Sequence, residues 1–451
     1  LNAEIGRETF REVFMLNKGL AHFAGQRILM LQGPMGPFFA RLSHDLRQHG
    51  ATTFKVDFNG GDALFSVSGA FSQVMRYRGS AEEWPGYLRT CIAQLGIDTV
   101  LLFGDCRPLH RFAVQTLQQS GVRVCVFEEG YIRPDHITLE PEGVNRHSPL
   151  PADPAFYLRQ QCPELPPART LGRTFYFAML WTTLYAIAFD LCRPAFRRYR
   201  HHRPVSIFQG LPWVRSAWRK AWYAWRERGL LHRLCHEGSG SFFLVPLQTR
   251  GDAQITVHSP FDSVEAFIAH VIESFAAHAP ADARLVFKHH PLDRAYSDYT
   301  RVIGALARAA GIGSRCLYLH DQHLPTLLRH ARGVVTINST VGLTAIGEGV
   351  PVKACGEAIY DMPGLTNRGT LDAFWSSSGA DRPDHDLYEA FRQYLVSHSQ
   401  HQGSFYRRLP GVAERSGIAW AAHGEPAPHL AAGRPGRVDE PETGLEAASR
   451  A

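Results

Sequence analysis

Short runs of β-branched and aromatic residues alternate along this chain with longer stretches whose apolar positions recur at i, i+3 and i+4. The first kind reads as buried strand, the second as amphipathic helix. RILMLQG (27–33), TTFKVDF (52–58), TVLLFGD (99–105) and VRVCVF (122–127) are the expected strands of the first third. Helical patterns follow the first, up to Gly50, and the third, over about 107–120. A second series begins with SFFLVPLQ (241–248), followed by a helix over 263–278 that sets Val264, Phe267, Ile268, Val271, Ile272 and Phe275 on one face. RLVFKHHP (284–291), a helix over 296–310, strands at 316–320, 333–337 and 351–355, and helices over 325–331 and 384–398 complete it. Strand, turn and helix in this rhythm predict doubly wound parallel sheets. Strands that end in glycine and polar residues predict a ligand rim at their carboxyl ends.

The stretch between the two series is different. Pro-rich segments lead into TFYFAMLWTTLYAIAF (174–189), which is shorter than the ~20 residues a spanning helix needs. RPAFRRYRHHR (193–203) and WVRSAWRKAWYAWRER (213–228) then interleave aromatic and basic side chains. Two readings stand side by side: a peripheral membrane surface, or a helical insert with an apolar core and a solvated cationic face. Nucleic acid is not an expected partner, because no recognition motif accompanies the cations. Residues 1–26 read as a helical lead-in. From about 424 the chain is rich in Pro, Gly and Ala and reads as disordered. The expected partition is an N-terminal Rossmann-like domain (1–150), the helical basic-aromatic insert (151–237), a C-terminal Rossmann-like domain (238–423) and a disordered tail (424–451).

With 451 residues, 45% apolar and 20% charged, the chain should form two or three globular domains. Lys and Arg exceed Asp and Glu by 48 to 42, so where the charge lies matters more than its sum. Eight cysteines without a CxxC pair suit buried thiols in a reducing compartment. The opening LNAEIGRETF shows neither a charged n-region nor an apolar h-region, so the expected setting is the cytoplasm. Neither series carries GxGxxG, which argues against a dinucleotide oxidoreductase. The fold class expected is α/β and GT-B-like: two Rossmann-like domains facing a central crevice, with a helical insert.

Three constellations could carry chemistry. GVVTINSTVGLTAIGEGVP (333–351) reads as a strand, a hydroxyl-rich cap at Asn338, Ser339 and Thr340, and a short helix. Such a helix start favours anions, although an ordinary strand–cap–helix unit has the same pattern. In RLVFKHHP, Lys288 and His290 share one strand face, and Pro291 fixes His290 for bonding to a phosphate or nucleobase carbonyl, while His289 points away. Glu128 and Glu129, before Gly130, face opposite ways, so one should enter the crevice as a general base or a nucleophile. The bland alternative is a carboxylate paired with Arg133. Gln32, Gly33, Asn59, Gly60, Asp62, Asp105 and Arg107 rim the first sheet and could hold an acceptor, though each also fits a plain βα turn.

LQGPMGPFF, FNGGD, LLFGDCRPLHR, VFEEGYIRPDHITLEPEGVN, VPLQ, FKHHPLD and INSTVGLTAI, in that order over about 27–367, resemble the capsule polysaccharide biosynthesis proteins of the KpsS/LipB type. The resemblance implies a β-Kdo transferase at the inner face of the bacterial inner membrane. It would use CMP-Kdo and a phosphatidylglycerol-type lipid, beside other capsule biosynthesis and export proteins. The family's acidic motif falls on Glu128-Glu129-Gly130, its HP motif on His290-Pro291 and its Ser/Thr pair on Ser339-Thr340. Glu129 stands where relatives carry Asp, which lengthens its reach. A β-configured donor and β-linked product imply retention, with Glu129 as candidate nucleophile. No metal or other cofactor is expected. The rivals are a transferase for another CMP-nonulosonic acid such as sialic acid, and a non-catalytic scaffold or export factor.

Overall fold

The computed structural model describes residues 19–420, apart from 119, 164, 166, 168, 204, 252–254, 256–258 and 378–381. The tail expected from 424, and most of the expected lead-in, lie outside the described residues. Leu20–Phe23 forms a single 3-10 turn.

Two sheets organise the chain. The first holds β1 (Arg27–Met30), β2 (Thr52–Asp57), β3 (Gln73–Arg76), β4 (Thr99–Phe103), β5 (Arg123–Glu129) and β6 (His136–Pro141). The second holds β7 (Phe242–Pro246), β8 (Arg284–Lys288), β9 (Cys316–Leu319), β10 (Gly333–Thr336) and β11 (Val352–Ala354). A last strand, β12 (Gln400–Gln402), returns to the first sheet. The orders are β12-β6-β5-β4-β1-β2-β3 and β11-β10-β7-β8-β9. Within the first sheet β1 to β5 pair in parallel, and β6 and β12 antiparallel; every pairing of the second sheet is parallel. Both orders reverse beside their first strand, so each sheet has a switch point, between β1 and β4 and between β7 and β10. Strands covered on both faces read as continuous apolar runs, and Phe242–Pro246 is buried along its whole length. The expected α/β, GT-B-like architecture of two Rossmann-like units is the observed one.

Three strands were not visible in the pattern. β3 is mostly exposed, β6 buries Thr138 and Glu140 among its apolar residues, and β12 is Gln-His-Gln. The last corrects the expected 238–423 domain, because residues 400–420 belong with the first half. Gln400 Oε1 accepts from Tyr131 N and its Nε2 donates to Thr138 Oγ1. The Phe405 ring packs edge-on against Phe38, Phe103 and Phe127, and Asp45 accepts from the Arg415 and Ser416 amides.

The insert is helical over Phe175–Leu191, Leu211–Arg226 and Leu230–His236. Its apolar run is not core. Only Tyr185 and Ala186 of Phe175–Leu191 are buried, while Phe175, Tyr176, Leu180 and Leu191 are exposed. Trp218, Trp222 and Trp225 are exposed on Leu211–Arg226. Among the described residues no helix is long and apolar enough to cross a membrane.

Candidate functional site

The second switch point is built by the ends of β7 and β10, where Gln248 Nε2 donates to Asn338 Oδ1 at 3.1 Å. Ser339 caps the helix Thr340–Gly347, its hydroxyl accepting from Val341 N at 3.2 Å. Tyr360 lies across this cap and donates its hydroxyl to Ser339 O. Residue 342 must be glycine for that, since a Cβ there would run into the Tyr360 hydroxyl. The helix start opens on a crevice lined by Asn338, Thr340, Glu357 and Tyr360 of the second half and by Tyr131 and Asn145 of the first. Arg146 and Glu357 join the two halves by an ion pair of 2.7 Å.

The KHHP residues sit at the end of β8. His290 caps the turn Pro291–Asp293, its Nδ1 accepting from Leu292 N at 3.2 Å. His289 is buried with Nδ1 2.6 Å from the Tyr318 hydroxyl, and burial pushes its imidazole down to about 3. Lys288 is also buried, 3.4 Å from His320 O, and burial lowers its ammonium. Neither Lys288 nor His290 lines the crevice bounded by Asn338 and Thr340.

At the end of β5 the two carboxylates have different surroundings. Glu128 lies beside Gly104, its Oε1 accepting from Glu129 N at 3.0 Å; burial pushes it up to about 7. Glu129 is partly exposed and pairs with Arg133 at 2.9 Å. The Tyr406 hydroxyl also bonds Glu129, and its proton is held tightly by burial and by that carboxylate. Gly130 lets the backbone of β6 approach, because a Cβ would strike His136 O. Arg107 donates to Gly33 O at 3.1 Å and lies over the Phe103 ring. Burial lowers its guanidinium, and the nearby Glu128 and tyrosines oppose that.

Four residues expected at an acceptor rim have a different place. Asp62 accepts from Phe58 N, Asn59 Nδ2, Gln32 Nε2 and the Tyr185 hydroxyl, at 3.0–3.4 Å. Gln32 also donates to Tyr185 and Tyr199. A Cβ on residue 60 would meet Ala188 O and Cys192 Cβ. Gln32, Asn59, Gly60 and Asp62 therefore fasten the insert helix, and burial raises the Asp62 carboxyl. The FNGGD spacing reads the same for a rim and for a helix seat, so the sequence alone does not separate them.

Asp105, buried just past β4, brings in a residue that sequence reasoning missed. Its Oδ2 binds His147 Nδ1 at 2.8 Å and accepts from Val144 N at 3.3 Å; its Oδ1 takes the Cys106 thiol at 3.2 Å. These hydrogen bonds occupy the donor set. The thiol is pushed far up by burial and the adjacent carboxylate, away from the thiolate that a metal requires. A lone histidine two positions past the EGVN motif carries no spacing signal.

Residues 98–406 match the family described as capsule polysaccharide biosynthesis protein. The chain is 40% identical over 395 residues to the capsule polysaccharide export protein KpsS of Escherichia coli, covering 85% of this chain and 97% of that protein. It is 38% identical over 394 residues to the capsule polysaccharide modification protein LipB of Neisseria meningitidis serogroup B, covering 86% and 93%. Similar solved structures include Thermosulfurimonas dismutans KpsC, described as a beta Kdo 2,4 transferase, at 15% identity over 73% of this chain and 85% of that one, TM-score 0.35. A glycosyl transferase family 9 protein of Veillonella parvula is similar at 10% identity, over 83% and 97%, TM-score 0.22. The match spans most of the chain and both of its Rossmann-like halves, and the chain belongs to the capsule polysaccharide biosynthesis protein family.

Proposed function

We propose that this chain is a capsule glycosyltransferase that moves Kdo from CMP-Kdo onto a phosphatidylglycerol-type lipid at the inner membrane face, starting a poly-Kdo linker. The observation that carries this reading is the helix start at Ser339 and Thr340, set at the switch point of the second sheet and facing the first half across a narrow gap. The helix start at Ser339 and Thr340 opens on one side of it, and the chain just beyond the β5 carboxylates forms the other. The dipole at that helix start suits the donor phosphate, and the reading adds His290, which lies outside the crevice lining, to the donor side. In the first displacement the Glu129 carboxylate attacks the anomeric carbon, and the bond to CMP breaks with its electron pair leaving on the phosphate. In the second, a lipid hydroxyl oxygen attacks that carbon and Glu129 departs as carboxylate. In this reading the helix start offsets the charge of the leaving phosphate, so no metal is invoked. The exposed apolar helix supports a lipid acceptor in this reading: Trp181 of Phe175–Leu191 donates to Tyr406 O, and the Tyr406 hydroxyl bonds Glu129.

The test is to incubate the protein with vesicles containing phosphatidylglycerol and either CMP-Kdo or CMP-sialic acid, and to weigh the lipid products. A Kdo-lipid that disappears in Glu129→Gln is the expected result. A sialyl product alone would move the donor to another nonulosonic acid, and no product from either would favour the scaffold. A Glu129→Gln protein with full activity would remove Glu129 as nucleophile.

A further inference from the structure

We propose that His147, oriented by Asp105, is the base that takes the acceptor's proton; this rests on the transferase reading above. Asp105 follows β4 at the first switch point and is 5% exposed, fixed by the Val144 amide and the Cys106 thiol. It can hold a neutral imidazole with the proton on Nδ1, which makes Nε2 the basic atom. The histidine ends the turn Asn145–His147. Asn145 has φ +58°, its amide accepted by the buried Tyr131 hydroxyl, and it lines the crevice. Residue 143 has no room for a Cβ, which would strike His147 Cβ and approach Asp105 Oδ2. Arg146 ties the same turn to Glu357 on the opposite wall. The imidazole, half exposed, thus sits on a turn that reaches the second half through Arg146 and feels the charge of Glu357 there.

The groups facing it are Asp105 from the end of β4, Arg146 on its own turn and Glu357 from the second half, with Glu128 near Asp105. The Asp105 hydrogen bond raises His147, and its partial burial and Arg146 oppose that. The carboxylate behind Nδ1 thus favours the imidazolium that forms when Nε2 takes a proton. In the step itself the acceptor oxygen bonds to the anomeric carbon, and the ester bond to Glu129 breaks with its pair returning to the carboxylate. The hydroxyl proton passes to His147 Nε2 and then to water, and Asp105 stabilises the imidazolium in between. Asp105 is a positioning residue.

Wild-type transfer is measured first, on phosphatidylglycerol vesicles with CMP-Kdo and CMP-sialic acid, and the active donor is then used throughout. His147→Gln and His147→Ala should bind CMP within about twofold of wild type and release a first equivalent of CMP. They should transfer about 10²–10⁴-fold more slowly. Asp105→Asn should shift the acid limb of kcat/KM to lower pH, because the carboxylate that raises the imidazole is gone. Glu128→Gln should leave that limb where it is. If His147→Ala fails to fold, His147→Gln and the Asp105→Asn profile decide. Near wild-type transfer in His147→Gln, loss of CMP binding in a folded variant, or a limb that vanishes with Glu128→Gln would each overturn the base. A wild type inactive with both donors would remove the transferase reading and the base with it; an active wild type with active His147→Gln removes the base alone.

Discussion

The two long helices of the insert expose similar aromatic faces but are fastened by opposite physics. Phe175–Leu191 is seated on the first half by close packing and a buried polar network. Gly60 and Gly61 leave no space for a Cβ beneath Ala188 and the Tyr185 ring, and Tyr185 closes on Asp62 and Gln32. Leu211–Arg226 is held to the second half through charge. Glu227, just past its end, takes His320 N, His320 Nδ1 at 2.7 Å and Gln322 Nε2 at 3.1 Å. Tyr223 stacks on the His320 ring with centroids 3.5 Å apart, and Arg294, paired with Asp321, donates to Ser216. Each half of the crevice therefore carries its own aromatic helix to the surface. One attachment is sensitive to volume and the other to charge.

The largest effect should come from the charged side. Glu227→Ala leaves His320 N–H, the imidazole and an amide without their buried partner, a loss of about 3–5 kcal/mol by the measure of broken buried pairs. Gly60→Ala forces a methyl into Ala188 O and should cost about 1–3 kcal/mol. Denaturant unfolding of both variants ranks them. A silent Gly60→Ala would mean that the seat of Phe175–Leu191 is not close-packed.

Acidity sharpens the contrast, because the two carboxyls shift in opposite directions. Burial raises Asp62 above its ordinary 3.8, so its folded form holds a proton longer than its unfolded form. The stability this contributes is full below 3.8 and is lost as pH rises through the folded value. For Glu227 burial acts upward, but hydrogen bonds from His320 and Gln322 outweigh it and leave the carboxyl below 4.5. Its contribution is present above 4.5 and is lost as pH falls through the folded value. Across unfolding midpoints from acid to neutral pH, wild type minus Asp62→Asn should shrink upward and wild type minus Glu227→Gln should shrink downward. Parallel curves would show that the two fastenings are alike.

Neither fastening could be read from the sequence, although most of the frame could. The strands β1, β2, β4, β5, β7, β8 and β10 announce themselves because a parallel strand covered on both faces is apolar throughout. The Ser339 cap and the His290-Pro291 turn are local, each with its partner two residues away. Asp62 with Tyr185 and Glu227 with His320 are separated by 123 and 93 residues, and no periodicity links such partners. The same holds for β12, whose place in the first sheet depends on Gln400 reaching Tyr131 across 269 residues. Asp105 was visible as a strand-end acid. His147 was not, since only the fold brings it against Asp105.

The smallest effect separates neighbours on Leu211–Arg226. Arg219 donates to Arg294 O at 2.8 Å, so it holds the segment that follows His290 and Pro291. Lys220, next to it, is exposed. Neither replacement by alanine should change stability by more than about 1 kcal/mol. If the helix lies on an anionic surface, Lys220→Ala should weaken vesicle binding about fivefold at low salt, and the difference should fade as salt screens the charge. CMP affinity should be untouched in that variant. If His290 belongs to the donor side as proposed, Arg219→Ala should instead lower CMP affinity, because the loop it steadies carries that residue. Residual vesicle binding at high salt would come from the exposed Trp218 and Trp222, whose rings stack 6.1 Å apart. Equal losses of vesicle binding with unchanged CMP affinity in both variants would mean that the helix serves the surface alone. Its attachment to the second half would then have no bearing on the donor site.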